Sequence, residues 1–341
     1  SHLYYGKKLG QNDSDLQYLA RINEFPFVPS VNARDRLSFL DSYPSEYAGH
    51  GTGDFRDSAV QIKTRGGHSA VSFTYKTHRI YDGKDPLNSL PSTFPGAGAV
   101  QTLELVCEDA SAGLEAVLSY SVFDDCDAVI RSVKLKNVSK EKIQIVKCMS
   151  LCLDMDNDDY EMISLHGSWA RERHIQRRKI GFGSSSVSSL RGESGHQDHP
   201  FIALVNTDTT QTRGNVYGFS FVYSGNFYAG VSVNQFNSAR ILMGINPSDF
   251  CWNLQAGEVF TSPEAVLVYS NEGIGGMSRT FHDVFRNHLI RGQYKDKKRP
   301  ILINNWEATY FDFDTDKLLS IAKDAAKTGI EMLVMDDGWF G

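Results

Sequence analysis

The chain has 341 residues, 22% charged and 41% hydrophobic, with a formal net charge of −6. These are the proportions of a globular protein long enough for two domains, or for one large domain plus part of another. The acidic balance argues against nucleic acid or an anionic membrane as partner, and no apolar run approaches the roughly twenty residues that span a bilayer.

Near the N-terminus, Gly49-His-Gly-Thr-Gly-Asp-Phe-Arg56 contains Gly51-x-Gly53. The last glycine of a Gly-x-Gly-x-x-Gly turn is missing, as are a preceding apolar strand and a following helix, so it does not read as a dinucleotide-binding turn. From Asp54 to about Ser270 the text is a succession of short alternating runs. Val71-Ser-Phe-Thr-Tyr-Lys, Gln101-Thr-Leu-Glu-Leu-Val, Glu115-Ala-Val-Leu-Ser-Tyr-Ser-Val, Val129-Ile-Arg-Ser-Val-Lys-Leu-Lys-Asn-Val and Ile143-Gln-Ile-Val-Lys-Cys-Met-Ser-Leu-Cys-Leu are examples. Ile202-Ala-Leu-Val, Val216-Tyr-Gly-Phe-Ser-Phe-Val-Tyr, Tyr228-Ala-Gly-Val-Ser-Val and Glu264-Ala-Val-Leu-Val-Tyr continue the series. Many strands without intervening helices predict a large antiparallel β-sandwich. Gly183-Ser-Ser-Ser-Val-Ser-Ser189 reads as a polar surface loop. The five cysteines, Cys107, Cys126, Cys148, Cys152 and Cys251, are odd in number and form no metal-type pair; Cys148 and Cys152 read as buried thiols. A reduced, cytoplasmic setting is expected, with no signal peptide visible, no cofactor and no metal.

Between about Gly276 and Arg291 the period changes: Met277, Phe281, Val284, Phe285, His288 and Leu289 recur at helical spacing. They predict an amphipathic helix leading out of the sandwich, with His288 on its flank and not a ligand. Gln293-Tyr-Lys-Asp-Lys-Lys-Arg299 reads as a solvated linker. Ile301-Leu-Ile303 then reads as a strand buried on both faces, ending in Asn304, Asn305, Trp306 and Glu307. Asp314 or Thr315 can cap the next helix, whose stripe is Leu318, Leu319, Ala322, Ala325 and Ala326; Gly329 suits its C-terminal turn, and Met332-Leu-Val-Met335 re-enters the sheet. This is one βαβ unit, and parallel sheets carry their chemistry where strands end and βα loops begin. Trp306, Asp336, Asp337 and Trp339 all fall there. Ionised carboxylates accept sugar hydroxyls and indoles pack on the apolar face of a pyranose, so the cluster suits a carbohydrate. A helix cap or a base-paired aspartate is the competing reading of Asp-Asp alone.

Ile303-Asn-Asn-Trp-Glu-Ala-Thr-Tyr-Phe311 and Met335-Asp-Asp-Gly-Trp-Phe-Gly341 resemble the opening of the catalytic barrel in bacterial α-galactosidases of glycoside hydrolase family 36. Tyr75-Lys-Thr-His-Arg-Ile-Tyr81, Gly167-Ser-Trp-Ala-Arg-Glu-Arg173, Arg191-Gly-Glu-Ser-Gly-His-Gln-Asp-His-Pro-Phe-Ile-Ala203 and Tyr217-Gly-Phe-Ser-Phe-Val-Tyr-Ser-Gly-Asn-Phe227 resemble blocks of that family's N-terminal domain. The resemblance implies a β-supersandwich over residues 1–275, a connecting helix and linker over 276–299, and the start of a (β/α)8 TIM barrel over 300–341, in a chain that is an excerpt at both ends. It implies a retaining exo-α-galactosidase acting on melibiose- and raffinose-type oligosaccharides, assembled as a tetramer. In the family both catalytic aspartates come from later barrel strands, so none is expected here. Adjacent Asp336 and Asp337 point to different sides and cannot flank one glycosidic bond as a pair about 5 Å apart. They and Trp306 are expected to contact substrate. Trp169 either reaches the same pocket or sits in the sandwich core. The family's loop lent to a neighbouring subunit maps to Arg36, with Asn23 at the position where the family has an Asp. Arg56 reads as a salt-bridged surface residue. The alternatives are a non-catalytic carbohydrate-binding or oligomerisation fragment, or a galactosyltransferase or α-N-acetylgalactosaminidase on the same fold.

Overall fold

The structure, a computed structural model, describes residues 2–10 and 40–340. Arg36 and Asn23 lie outside the described residues. The chain divides into two compact units, Ser1–Leu289 and Ile290–Gly341. In the first, the described strands are β1 (Val60–Thr64), β2 (Thr74–Asp82), β3 (Val100–Asp109), β4 (Leu114–Phe123), β5 (Ala128–Asn137), β6 (Ile143–Met155), β7 (Glu161–Ser168), β8 (Arg171–Lys179), β9 (Gly183–Ser188), β10 (Asp198–Val205), β11 (Val216–Val222), β12 (Phe227–Val233), β13 (Ala239–Ile245), β14 (Trp252–Leu254), β15 (Val259–Thr261) and β16 (Glu264–Ser270). Helix α1 (Gly273–His288) follows.

Two antiparallel sheets result. The larger runs β2-β3-β4-β5-β16-β11-β10-β7-β8, with β15 also on β5; the smaller runs β1-β6-β13-β12, with β14 also on β6. Alternation explains the packing, because every second side chain of a strand faces one layer. At one end of the sandwich Ile62 and Ile145 meet Leu118 and Leu135. At the other, Leu151, Phe227 and Ile241 meet Ile202, Phe219 and Leu267. Cys148 and Cys152 on β6 are buried free thiols.

Strand β16 is buried along nearly its whole length, which a two-layer sandwich would not require. The cause is α1. Its Met277, Phe281 and Val284 cover Ile130, Ala203, Val216, Val266 and Val268 on the outer face of the large sheet. Each of those three side chains contributes about 1.5–3 kcal/mol by burial. The helix is thus a third layer of the first unit, where the periodicity alone suggested a segment leading away. Close approach is possible because Gly218 lies beneath it: a Cβ there would stand 2.6 Å from Met277 Sδ and 2.7 Å from Phe281 Cε2.

Several expectations for the first unit need correction. The serine-rich stretch expected as a loop is strand β9, running beside β12, with Val187 buried. Its backbone joins a layer although its side chains carry no apolar alternation. His288 is not on an exposed flank; it is completely buried, because the segment around Phe94 and the β4–β5 turn fold over the end of α1. Arg56 is salt-bridged, but its side chain is only 6% exposed. The large sheet ends in β2 and β8, whose residues are almost all exposed. Among the described residues no helix is long and apolar enough to cross a membrane.

The second unit contains β17 (Leu302–Asn304), a short helix α2 (Trp306–Thr309), α3 (Thr315–Lys327) and β18 (Met332–Val334). The two strands pair in parallel, with Leu302 opposite Met332 and Asn304 opposite Val334. Asp314 caps α3 by accepting from the Lys317 N–H at 2.8 Å. Gly329, with φ +86°, ends it by donating to the Ala326 carbonyl, as left-handed C-terminal caps do. The strand expected to be buried on both faces is not: Leu302 is 51% exposed. Two short strands and one crossover helix supply too little surface to cover it.

Candidate functional site

Parallel pairing of β17 with β18 brings the Asn-Asn-Trp and Asp-Asp-Gly-Trp segments to the same end of the two-stranded sheet. Two adjacent asparagines fix what lies there. Asn304 Oδ1 accepts the Trp306 N–H at 2.7 Å, while its Nδ2 donates to Asp336 Oδ2 at 2.7 Å. Asn305, completely buried, accepts the Asp336 N–H on Oδ1 at 2.9 Å and donates from Nδ2 to Thr309 Oγ1 at 2.9 Å. Its own N–H bonds the Val334 carbonyl across the strand pair.

The two aspartates are therefore inequivalent. Asp336 has one carboxylate oxygen held by Asn304 and the other by the Asp337 N–H at 2.9 Å. A carboxylate has about four acceptor positions, so capacity remains for hydroxyl donors, in a fixed orientation. Asp337 is exposed, and its carboxylate faces solvent. Trp306 stands edge-on to Tyr310 and Phe311, with ring centroids 5.4 and 4.9 Å away, so its plane is set by neighbours. Tyr310 adopts φ +48°, unusual for a bulky residue, at the turn that brings both rings against Trp306. Trp339 is 70% exposed and stacks edge-on with Phe340. The arrangement offers oriented anionic acceptors beside aromatic faces, which suits a polyhydroxylated ligand.

Sequence reading named Asp336, Asp337 and Trp306, and the structure brings these together. It assigned no role to Asn304 and Asn305, although their place directly before Trp306 at a strand end was the available signal. Trp169 is in the turn joining β7 to β8 of the first unit. It is 84% exposed, which rules out the sandwich-core alternative. Ala170 beside it has φ +59° and donates its N–H to Glu172 Oε1 at 2.9 Å, so the turn that presents the indole is internally braced.

The glycine-bearing segment at 49–56 serves the scaffold. Asp54 and Asp154 on β6 share Arg240 of β13, at 2.8 and 2.7 Å, and Arg56, at 2.8 and 3.1 Å. Burial alone would raise the pKa of Asp54, but the hydrogen bond from Arg56 and the charge of Arg240 outweigh it and hold the carboxyl below its usual range. A second buried pair, Lys84 with Glu264, is completed by Thr93, whose N–H and hydroxyl both donate to the carboxylate. Every charge in these clusters has a partner, so they read as structural.

A two-sheet sandwich whose last helix precedes a parallel βαβ unit, with carboxylates and indoles at its strand ends, has the build of a carbohydrate-active protein. Comparison with known families makes this specific. The family description "Glycosyl hydrolase family 36 N-terminal domain" matches residues 1–255, and "Melibiase" matches residues 259–341. The chain belongs to glycoside hydrolase family 36. It is 45% identical to α-galactosidase AgaA of Geobacillus stearothermophilus, across all of this chain and 47% of that protein. It is 41% identical to the bifunctional α-galactosidase/sucrose kinase AgaSK of Mediterraneibacter gnavus, across all of this chain and 36% of that protein. The chain thus spans about half or less of the length of these relatives. Among solved structures, an AgaA variant in complex with 1-deoxygalactonojirimycin superposes with a TM-score of 0.93 at 44% identity, over the whole of this chain and 47% of that one. Further AgaA variants have been solved with stachyose and with raffinose.

Proposed function

We propose that this chain is the N-terminal sandwich and barrel opening of a retaining exo-α-galactosidase that releases galactose from raffinose- and melibiose-type oligosaccharides. The observation that carries the reading is the pair of strand ends where Asn304 and Asn305 orient Asp336 next to Trp306. Asp336 and Asp337 accept galactose hydroxyls, and Trp306 packs against the sugar's apolar face. The relatives solved with raffinose and stachyose support this substrate class. Hydrolysis with retention requires two carboxyl groups flanking the bond, one as nucleophile and one as acid/base. Successive residues cannot do this, so those groups are assigned to later barrel strands of the whole enzyme.

Trp169 is proposed to reach the same substrate pocket from the sandwich, and Arg36 and Asn23 to contribute to a neighbouring subunit's site in a cytoplasmic tetramer. The decisive test compares residues 1–341 with the enzyme carrying a full barrel on a nitrophenyl α-galactoside. The latter hydrolyses it, with the α-anomer of galactose seen first by NMR; the former does not. First appearance of the β-anomer would refute retention, and hydrolysis by residues 1–341 would refute the placement of the reacting carboxylates.

A further inference from the structure

The first unit carries a mixed cluster of metal-ligating side chains that neither the scaffold ion pairs nor the sugar site uses. Asp125 and Cys126 occupy the turn between β4 and β5, and His288 is the last residue of α1. One ligand atom of each lies within 4.8 Å of the other two. The histidine is held with little freedom. Its ring packs on Phe123 with centroids 4.1 Å apart, and its Nδ1 lies 3.0 Å from the Phe94 carbonyl oxygen. A Cβ on Gly96 would come within 3.0 Å of the imidazole, so the 94–96 segment lies this close only because glycine is there.

The chemistry of the partners is specific. A carbonyl oxygen only accepts, so Nδ1 carries a hydrogen, and Nε2 is left directed at the Asp125 carboxylate, 2.9 Å from Oδ1 and 3.2 Å from Oδ2. A carboxylate also only accepts. Nε2 and Asp125 therefore share either a hydrogen or a cation between them. A metal-bound histidine commonly donates its other ring N–H to a backbone carbonyl, and Phe94 supplies that partner to Nδ1 here. The Cys126 thiol completes the set. Asp125 is 37% exposed, which leaves the cluster open to solvent on one side.

We propose that Asp125, Cys126 and His288 bind a divalent cation of the zinc type, with water in the remaining position. One thiolate, one imidazole and one carboxylate are a ligand set for zinc and not for the oxygen-seeking magnesium or calcium. Binding exchanges protons for metal: one leaves Cys126 Sγ, another leaves His288 Nε2, and both go to solvent. The bound ion would tie the β4–β5 turn to the end of α1, and so fasten the third layer to the large sheet.

The test uses residues 1–341, stripped of metal with a chelator and titrated with zinc by calorimetry and with cobalt by absorption spectroscopy. One equivalent of zinc is expected, with proton release, and cobalt is expected to give a thiolate charge-transfer band. Cys126→Ser abolishes the band and weakens zinc by more than the roughly 10–100-fold typical of losing an outer-shell partner. Asp125→Asn weakens zinc but keeps the band, and Cys251→Ser, at an exposed thiol, changes neither. Absence of saturable uptake, or equal affinity in the Cys126 variant, would overturn the proposal. Both informative variants lie in a partly exposed turn, so the outcome does not depend on a His288 variant that folds.

Discussion

Replacing Asn304 by alanine separates orientation of the proposed sugar site from its composition. The substitution leaves Asp336, Asp337 and Trp306 in place but removes the 2.7 Å bond to Asp336 and the 2.7 Å bond from the Trp306 N–H. A hydrogen bond to a charged group contributes about 1.5–3 kcal/mol, and a neutral one about 0.5–1.5 kcal/mol. Asn304 is exposed, so water replaces much of both. Asp336 also keeps its anchor from Asn305 at 2.9 Å. The net loss should therefore fall near the lower figure, about 1.4–2 kcal/mol, or roughly 10- to 30-fold in kcat/KM. The assay is steady-state hydrolysis of a nitrophenyl α-galactoside by the enzyme with its full barrel, alongside binding of a galactose-shaped iminosugar and thermal melting. A melting temperature close to the parent's, with both kinetic and binding losses, locates the effect in the site. A kcat/KM within about twofold of the parent would refute the positioning role of Asn304. If Asp336→Ala were equally silent, the sugar-binding role of Asp336 would fall with it.

Three further outcomes concern the sandwich. Arg240→Ala leaves Asp54 and Asp154 to Arg56 alone and should cost about 3–5 kcal/mol in urea unfolding of residues 1–341; a change below about 1 kcal/mol would show that Arg56 suffices. Gly218→Ala forces Met277 and Phe281 away from the sheet and should destabilise by about 1–3 kcal/mol, read as a lower denaturant midpoint; an unchanged midpoint would mean that α1 shifts without cost. For Glu46, burial alone would raise the pKa, but His2, Arg131 and Tyr120 together lower it from 4.5 to about 2. Its contribution is present above the unfolded value and is lost as pH falls from about 4.5 towards 2, so Glu46→Gln should flatten the acid limb of the stability profile; a limb as steep as the parent's would remove Glu46 from the account.

The sandwich was legible because sequence runs such as Glu115–Val122, within β4 (Leu114–Phe123), alternate, and alternation is a local property. The crossover was legible for the same reason: Asp314, Gly329 and the apolar stripe between them are all read within one helix. Its strand ends placed Trp306, Asp336 and Asp337 without any knowledge of packing. What escaped depends on partners distant in sequence. Nothing in the sequence around Arg240 points to Asp54 and Asp154, which neutralise it from distant segments. His288 lies at the end of a helix pattern and gives no hint that Phe94 and Asp125 close over it. Strand β9 carries one apolar residue among serines, so only the presence of β12 beside it reveals its conformation.

The margins of the large sheet, uncovered among the described residues, have a consequence for how copies of this molecule can meet. An outermost strand displays unpaired backbone groups that invite another strand to join, the first step of uncontrolled sheet growth. Here the margin at β8 reads Arg-Glu-Arg-His-Ile-Gln-Arg-Arg-Lys, exposed along almost all its length. A second β8 laid alongside would bring like charges into register at the spacing of paired strands. Lengthening the sheet through this margin is thus opposed electrostatically, and a crowd of newly made chains is kept from polymerising through it.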